Sequence, residues 1–298
     1  ALQPLITLCA VKTGVFGHLY DGHFFIKNWA NKMRNSNDHY RVASRRLASR
    51  AFILFAMLAS TTCIADGLPP PTTLHLVGDS TMSNKENLNY PERGWGQILP
   101  GFMLPQLRIM NHAANGRSTK RFVDEGRWAY LLSELSAGDY VLVQFGHNDQ
   151  KKDSPSRYAD AENDYPEYLT GFINDVTERG AHIMIASSIC RRHFDNEGKL
   201  KRTLTRYASA AEQVARKHKV TFIPMNTLTC DFFASIGDGA SEDYFIKVPA
   251  GIYAKFPNGK VDNTHVNVVG ATKVSQLFVR ALKAQNHPLA DYVYRTLL

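Results

Sequence analysis

A serine directly behind a short apolar run is the first residue of the sequence that suggests chemistry. Residues 74–84 read LHLVGDSTMSN, so Ser80 follows Gly78 and Asp79 where a strand-like run ends. A serine hydroxyl becomes a nucleophile only where a base removes its proton and hydrogen-bond donors stabilise the oxyanion that forms. Asp and Ser are also favoured helix caps. The segment alone therefore fits either a nucleophile or a cap.

Two later loops contain donors that would suit such an oxyanion. Gly116, in NHAANGRSTKRF (residues 111–122), permits a tight turn with an unobstructed backbone N–H. Asn148, in VLVQFGHNDQ (residues 141–150), carries an amide that can donate to the same charge. Taken separately, a plain glycine turn and an Asx-turn explain these residues as well. We interpret the adjacent His147 as a residue that shapes its loop, and not as a base.

The fourth stretch contains an acid–base pair. Asp262 and His265 are three residues apart in VDNTHVNVVGA (residues 261–271), just before a helical pattern. In a helical turn this spacing brings two side chains together. Asp262 would then accept a hydrogen bond from one ring nitrogen of His265 while the other nitrogen faces a serine, as in a catalytic triad. A loop carboxylate and a surface histidine are the alternative interpretation.

The segments that would position these groups alternate between strand and helix patterns. Five apolar β-type runs are expected as strands: 74–77, 107–111, 140–145, 182–186 and 221–224. Helical periodicity covers residues 165–180, 204–219 and 270–285. This alternation predicts a parallel sheet with helices on both faces. Ligands of such sheets bind beyond the carboxyl ends of the strands, which is where three of the polar blocks lie.

In combination, the blocks resemble those of an SGNH (GDSL-type) hydrolase. Ser80, Gly116, Asn148 and His265 match the four residues that name that family, with Asp262 as the third member of the triad. The resemblance implies an α/β fold of three layers, flavodoxin-like, with a five-stranded parallel sheet. It also implies an oxyanion hole made by the N–H groups of Ser80 and Gly116 and the amide of Asn148. No CxxC or His-rich spacing indicates a metal site, and we expect no cofactor.

The resemblance extends to one branch of the family. GDSTM, GWGQ (residues 94–97), NGRSTKRF with EGRW (residues 125–128), QFGHND and DNTHVN together resemble the rhamnogalacturonan acetylesterases. Thr81 stands where many lipolytic relatives have Leu. This branch implies removal of acetyl groups from pectic polysaccharide of the plant cell wall. Trp95, Arg117 and Trp128 are candidates for sugar contacts, with packing or salt-bridge roles as the alternative.

Three other functions remain open from the sequence. The first is a broader esterase or lipase acting on simple acyl esters, and the second is a deacetylase of xylan or another polysaccharide. The third, from a different class, is a carbohydrate-binding protein without catalysis. Such a protein would be expected to lose a member of the triad, and all three members are present here.

Positive charge is concentrated near the N-terminus. The formal net charge is +8, but residues 1–65 hold eight Lys/Arg and two Asp, so the rest of the chain carries only +2. With a net charge of only +2, residues 66–298 have no broad basic surface that would bind the phosphate backbone of a nucleic acid. We therefore expect no nucleic-acid partner, and we expect a monomer.

The first 65 residues are expected to be a leader. RRLASR, AFILFAMLA and STTCIADG follow one another as the three regions of a secretory signal. The apolar run is too short to span a bilayer, which takes about 20 residues. We expect an upstream extension over residues 1–32, a signal peptide over 33–65 cleaved after Ala65, and a hydrolase domain over 66–298. A lipid-attachment site at Cys63 is the alternative. The predicted location is secreted or periplasmic, which permits a disulfide between Cys190 and Cys230 without requiring one.

Overall fold

A five-stranded parallel sheet lies at the centre of residues 71–297, the part of the chain that the computed structural model describes. Its strands are β1 (Thr72–Gly78), β2 (Leu107–Asn111), β3 (Tyr140–Phe145), β4 (His182–Ser187) and β5 (Thr221–Ile223). They follow the order β2-β1-β3-β4-β5, and every neighbouring pair is parallel. This is the strand order of the flavodoxin-like fold. The predicted five-stranded parallel sheet is confirmed.

Seven helices of residues 71–297 accompany the sheet. They are α1 (Trp95–Ile98), α2 (Thr119–Asp124), α3 (Arg127–Glu134), α4 (Asp164–Glu178), α5 (Thr205–His218), α6 (Met225–Ser241) and α7 (Val268–Ala284). The three periodic segments of the sequence correspond to α4, α5 and α7. Short 3-10 turns join several elements. No helix in this part of the chain is long and apolar enough to cross a membrane.

Hydrophobic side chains form a core on each face of the sheet. Leu74 and Leu76 of β1 pack in one core with α1, α6 and α7, whereas Val77 packs in the other with α2 to α5. Neighbouring residues of a strand point to opposite faces, so a strand buried on both sides is apolar along its length. The result is the three-layer α/β/α arrangement that the resemblance implied.

A second, two-stranded sheet lies outside the predicted elements. The strands β6 (Phe245–Val248) and β7 (Lys260–Val266) pair antiparallel, and α7 follows β7 almost directly. The predicted acid–base pair lies on β7. The leader expected over residues 1–65, with its cleavage site, lies outside the described residues.

A disulfide joins Cys190, behind β4, to Cys230 in α6, with the two Cα atoms 5.1 Å apart. The sequence left this pairing open. Both residues are buried in the core on the α6 side of the sheet. The bond therefore fastens α6 to the carboxyl end of β4, close to the edge at which the site is expected.

Loss of this disulfide is expected to destabilise the fold by about 4 kcal/mol, because the bond closes a long loop of the unfolded chain. The two cysteines are 40 residues apart in the sequence. The Cys190→Ala/Cys230→Ala double variant should unfold at a lower urea concentration than the oxidised wild type. Wild type measured with a reductant is the matched control and should shift in the same direction. An unchanged midpoint in both samples would contradict the expectation.

Candidate active site

Ser80 lies at the carboxyl end of β1, in a turn that Asp79 organises. The carbonyl oxygen of Asp79 accepts hydrogen bonds from the N–H groups of Met82 and Ser83 at 3.2 and 3.1 Å. Its carboxylate oxygen Oδ1 accepts from the N–H and the hydroxyl of Thr81 at 2.9 and 2.8 Å. Residues 80–83 form a turn and no helix begins there, so the helix-cap interpretation of Asp79 and Ser80 is wrong. The hydroxyl of Ser80 is left to interact outside the turn.

Asp79 is anchored by His147, which comes from the loop after β3. The other carboxylate oxygen of Asp79, Oδ2, lies 3.1 Å from Nδ1 of His147, and both residues are buried. Burial raises the pKa of Asp79. His147 and the hydrogen bonds from Thr81 lower this pKa by more than burial raises it, so the pKa lies below its ordinary value. Burial lowers the pKa of His147. A neutral His147 thus donates to an ionised Asp79 and joins the loop after β3 to the Ser80 turn.

The hydroxyl of Ser80 faces His265. Nε2 of His265 lies 2.8 Å from Oγ of Ser80, and Nδ1 of His265 lies 2.7 Å from Oδ2 of Asp262. Serine, histidine and carboxylate therefore form one hydrogen-bonded row, although the serine is 185 positions away from the histidine. This geometry has the order and distances that a nucleophile, a base and an orienting carboxylate require.

The structure corrects how Asp262 and His265 come together. They lie on strand β7, and not in a helical turn. The register of β6 and β7 shifts: Phe245 pairs with Val266, but the next residue of β6, Ile246, pairs with Asp262. The three residues between Asp262 and Val266 therefore bulge out of the ladder. Bulges of this kind change the direction of side chains next to active sites. Here the bulge brings the side chains of Asp262 and His265 to the same side of β7, although they are three residues apart.

The carboxylate of Asp262 also stabilises the bulge by hydrogen bonds to its backbone. Its Oδ1 accepts the backbone N–H groups of Thr264 and His265 at 2.8 and 3.0 Å. Burial raises the pKa of Asp262, but the bonds from His265 and from the two N–H groups outweigh burial and hold the pKa well below its ordinary value. The carboxylate is thus ionised, and its two oxygens have separate partners.

A row of alternating charges lies behind the carboxylate. Lys260 Nζ lies 3.4 Å from Asp262 Oδ2 and 3.2 Å from Glu92 Oε2. Glu92 Oε1 in turn lies 3.1 Å from Nζ of Lys85, whose side chain is fully buried. Lys85 also donates to Oδ1 of Asn115, in the loop that contains Gly116. The row connects β7 to the Ser80 turn and to the loop after β2, and no local pattern of the sequence indicates it, because its members are far apart in the chain.

The two predicted oxyanion donors lie on neighbouring loops that are tied together. Gly116 has a φ of +74°, a left-handed conformation that favours glycine. Nδ2 of Asn148 donates to the carbonyl oxygen of Arg117, the residue that follows Gly116, at 3.0 Å. An amide group has two hydrogens, so Asn148 retains one for another acceptor. The bond to Arg117 differs from the Asx-turn that was the alternative for Asn148.

Trp95 supports the Ser80 turn from the core. Its Nε1 donates to Oε1 of Gln144 at 3.0 Å, and Nε2 of Gln144 donates to the hydroxyl of Thr81 at 3.0 Å. A leucine at position 81 would break this chain of bonds. The glycine before Trp95 is required for close approach, since a Cβ on Gly94 would lie 2.1 Å from the carbonyl oxygen of Ser83. The GWGQ block therefore packs tightly under the nucleophile turn.

The prediction of sugar contacts is wrong for the two tryptophans. Trp95 is 0% and Trp128 is 5% exposed, so neither offers a ring face to a substrate. Trp128 packs against Phe172 with the two rings tilted by 39°, and it donates to Asp175 Oδ2 at 2.7 Å. Both are core residues, the alternative role that the sequence allowed.

Arg117 is engaged in a charge cluster around Glu125. Its Nε donates to Glu125 Oε2 at 2.8 Å, and Arg121 and Arg127 donate to the same carboxylate at 2.8 and 2.9 Å. Hydrogen bonds from Arg117 and Arg127 are the main reason that the pKa of Glu125 falls to about 2. A sugar contact by Arg117 stays a prediction, but its guanidinium already has a partner.

Residues 71–297 contain no group of three or more His, Cys, Asp or Glu side chains arranged to hold a metal ion. The polar groups at the carboxyl edge of the sheet are arranged in hydrogen-bonded pairs instead. What they can do without further groups is move a proton between Ser80 and His265 and donate hydrogen bonds near Ser80.

Comparison with known proteins identifies related sequences. Residues 76–271 match the model of the GDSL-like Lipase/Acylhydrolase family. The chain is 33% identical to the rhamnogalacturonan acetylesterase RhgT of Bacillus subtilis, over 75% of this chain and 94% of that protein. It is 26% identical to a rhamnogalacturonan acetylesterase of Emericella nidulans, over 75% of this chain and 90% of that protein.

A solved structure shares the fold. Axe2, an acetylxylan esterase from Geobacillus stearothermophilus, superposes with a TM-score of 0.53 at 14% identity, covering 72% of this chain and 96% of Axe2. At this identity the similarity concerns the architecture alone. It agrees with the α/β/α layers described above.

Proposed function

Because the chain belongs to the GDSL-like Lipase/Acylhydrolase family and is a carboxylic ester hydrolase, we propose that it removes acetyl groups from a pectic polysaccharide with Ser80 as the nucleophile. The observation that carries the proposal is the row of hydrogen bonds from Ser80 through His265 to Asp262, at 2.8 and 2.7 Å. A serine hydroxyl needs such a base to attack an ester at neutral pH.

Acylation begins with proton transfer from the serine. Nε2 of His265 takes the hydroxyl proton of Ser80 as Oγ attacks the carbonyl carbon of the acetyl group. Asp262 accepts from Nδ1–H, which keeps Nε2 free as the acceptor and stabilises the imidazolium that forms. The negative charge that develops on the carbonyl oxygen is stabilised by the N–H groups of Ser80 and Gly116 and by the amide of Asn148.

The imidazolium of His265 then protonates the leaving group. His265 gives its proton to the sugar oxygen as the bond between that oxygen and the acetyl carbon breaks, so a sugar hydroxyl leaves and the acetyl group stays on Ser80. Water attacks the acetyl-enzyme by the same route, with His265 as the base. Acetate leaves, and the proton returns to Ser80.

Removal of one oxyanion donor is expected to lower kcat about 10²- to 10³-fold. Asn148→Ala deletes the amide that would face the oxyanion, and with it the bond to the carbonyl of Arg117 at 3.0 Å. Initial rates on 4-nitrophenyl acetate measure the effect, and urea unfolding checks that the fold persists. Asn258→Ala, at an exposed loop position, is the control and should retain the wild-type rate. Full activity of a folded Asn148→Ala protein would remove Asn148 from the mechanism.

The pectic substrate is supported by the names of the relatives, both of which are rhamnogalacturonan acetylesterases. The test is acetate release from acetylated rhamnogalacturonan, homogalacturonan and xylan, measured in parallel. We expect the highest kcat/KM on rhamnogalacturonan. A higher value on xylan would reject the pectic substrate. Equal rates on acetyl and long-chain nitrophenyl esters would favour a lipase-like acyl preference.

We also propose that the protein is exported and acts as a monomer. The signal-like pattern of residues 33–65 and the disulfide between Cys190 and Cys230 support export, since disulfides persist in oxidising compartments. N-terminal sequencing of protein recovered outside the cytoplasm is expected to begin at Asp66. Recovery of the protein only from the cytoplasm, with its leader intact, would contradict export.

A further inference from the structure

Arg117, Arg157 and Arg191 lie on the loops that follow β2, β3 and β4, and Arg117 and Arg191 have side-chain partners. Arg117 is bound to Glu125 at 2.8 Å. Gln150, with its amide oxygen turned toward the guanidinium, accepts from both Nη atoms of Arg191 at 2.8 Å. The third, Arg157, differs from both.

Arg157 has a guanidinium without a partner. Within residues 71–297, no carboxylate lies within ion-pair distance of it and no oxygen accepts a hydrogen bond from it. Its Nε is buried and unsatisfied, while the residue as a whole is half-buried. A guanidinium is always charged, and a buried donor without an acceptor is destabilising. An anion is the ligand that would match both the charge and the unused N–H donors of this side chain.

The position of Arg157 connects it to the chemistry. Its Cζ and Nη1 atoms lie 3.9 and 4.0 Å from the point that a Cβ on Gly116 would occupy. Gly116 is the proposed backbone donor to the oxyanion, so the cation is located beside the place where the acetyl group reacts. At this distance a Cβ would make ordinary van der Waals contact, so the guanidinium lies next to position 116 and the need for glycine there comes from its positive φ.

The loop that presents Arg157 is held at both sides. The N–H of Ala159 donates to the carbonyl oxygen of Asp149 at 3.1 Å. Nζ of Lys120, in α2, donates to the carbonyl oxygen of Pro155 at 3.1 Å. Arg157 is thereby fixed between two tethered points, and the cost of ordering a long side chain for binding is lower than on a free loop.

From this geometry we infer that Arg157 binds the carboxylate of a uronic acid unit in the polysaccharide and thereby selects acidic over neutral acetylated chains. The inference rests on the proposed function and deepens it. The planar fork of a guanidinium matches a carboxylate through two parallel hydrogen bonds. A neutral xylan has no such group. Arg157 is thus the arginine assigned to the carboxylate, while a sugar contact by Arg117 stays a separate prediction.

The test compares two forms of one substrate. Acetylated rhamnogalacturonan oligosaccharides are used with free carboxylates and with the carboxylates methyl-esterified, which removes the charge and leaves the acetyl groups. Arg157→Gln is expected to lower kcat/KM on the free-acid form about 10- to 100-fold, as for the loss of charge-assisted hydrogen bonds. The loss should be mainly in KM, since both ground state and transition state use the contact. Rates on the methyl-esterified form and on 4-nitrophenyl acetate should stay within about twofold of wild type.

Two variants serve as controls. Lys152→Gln removes a positive charge from an exposed position of the same loop, and it should leave the preference for the acid form unchanged. Arg157→Lys keeps the charge without the fork and should restore only part of the preference. Urea unfolding of all variants reports whether the loop change affects the fold.

The outcomes separate the two levels of the proposal. A wild-type protein that deacetylates xylan but neither pectic form would reject the proposed function and the acid selection with it. A wild type that prefers the free-acid form, together with an Arg157→Gln variant that retains this preference, would overturn the role of Arg157 alone. An equal loss on all substrates, 4-nitrophenyl acetate included, would also overturn it, because Arg157 would then act on the oxyanion or on the loop.

Discussion

Replacing Ser80 with alanine is expected to lower kcat for ester hydrolysis by about 10⁵- to 10⁶-fold, the size of effect seen when the nucleophile of a serine hydrolase is removed. The substitution deletes the hydroxyl that lies 2.8 Å from Nε2 of His265. It leaves the turn intact, because Asp79 and Thr81 hold that turn by bonds in which the Ser80 side chain takes no part. Acetate release and 4-nitrophenyl acetate hydrolysis both measure the loss.

Two further variants test whether the serine and the histidine act as one unit. His265→Ala should be about as inactive as Ser80→Ala, and the double variant should lose little more, since residues of one catalytic unit are strongly non-additive. Ser133→Ala, at an exposed position of α3, is the matched control and should be fully active. A Ser80→Ala protein with near-normal turnover would reject the mechanism outright.

Local sequence patterns were sufficient to predict most of the sheet and its helices. The predicted strands 107–111 and 140–145 have the bounds of β2 and β3. The central strand β3 is mostly apolar because both of its faces are covered, whereas the edge strand β2 is only partly buried and contains an exposed Arg108. The β6–β7 pair was not predicted, since β6 is only four residues long and β7, KVDNTHV, is mostly polar and lacks the apolar run of a buried strand. The bulge that aims Asp262 and His265 depends on that pairing, which is why a helical turn was expected there.

The sequence predicted which residues form the site better than it predicted the roles of the side chains around them. The order of the four blocks identified the residues that the structure brings to one edge. The role of the arginines could not be read from their types, because Arg117 and Arg157 differ only in whether a carboxylate lies within reach in the folded chain. In the same way, Trp95 and Trp128 are sugar-binding residue types whose burial only the tertiary structure decides.

Asp262→Asn is expected to lower kcat about 10⁴-fold at neutral pH, as the loss of the orienting carboxylate does in a serine protease triad. The reason is the position of the two oxygens. Oδ1 of Asp262 accepts two backbone N–H groups, from Thr264 and His265. An asparagine must keep its oxygen there, since its NH₂ group would face two donors. The NH₂ group therefore takes the place of Oδ2, which lies 2.7 Å from Nδ1 of His265.

This arrangement forces the wrong tautomer on the histidine. An NH₂ group donates, so Nδ1 must be without its proton, and the proton then lies on Nε2. A protonated Nε2 cannot accept from the hydroxyl of Ser80. Asp262→Ala has no such donor, and it leaves the tautomer free, so it should be less damaged than Asp262→Asn at equal stability. The kinetic constants of both folded variants decide the matter. Equal activity of the Asp262→Asn variant and the wild-type protein would show that His265 keeps its tautomer without the carboxylate, whereas a larger loss in Asp262→Ala would mean that Asp262 acts chiefly through the bonds of Oδ1 to Thr264 and His265.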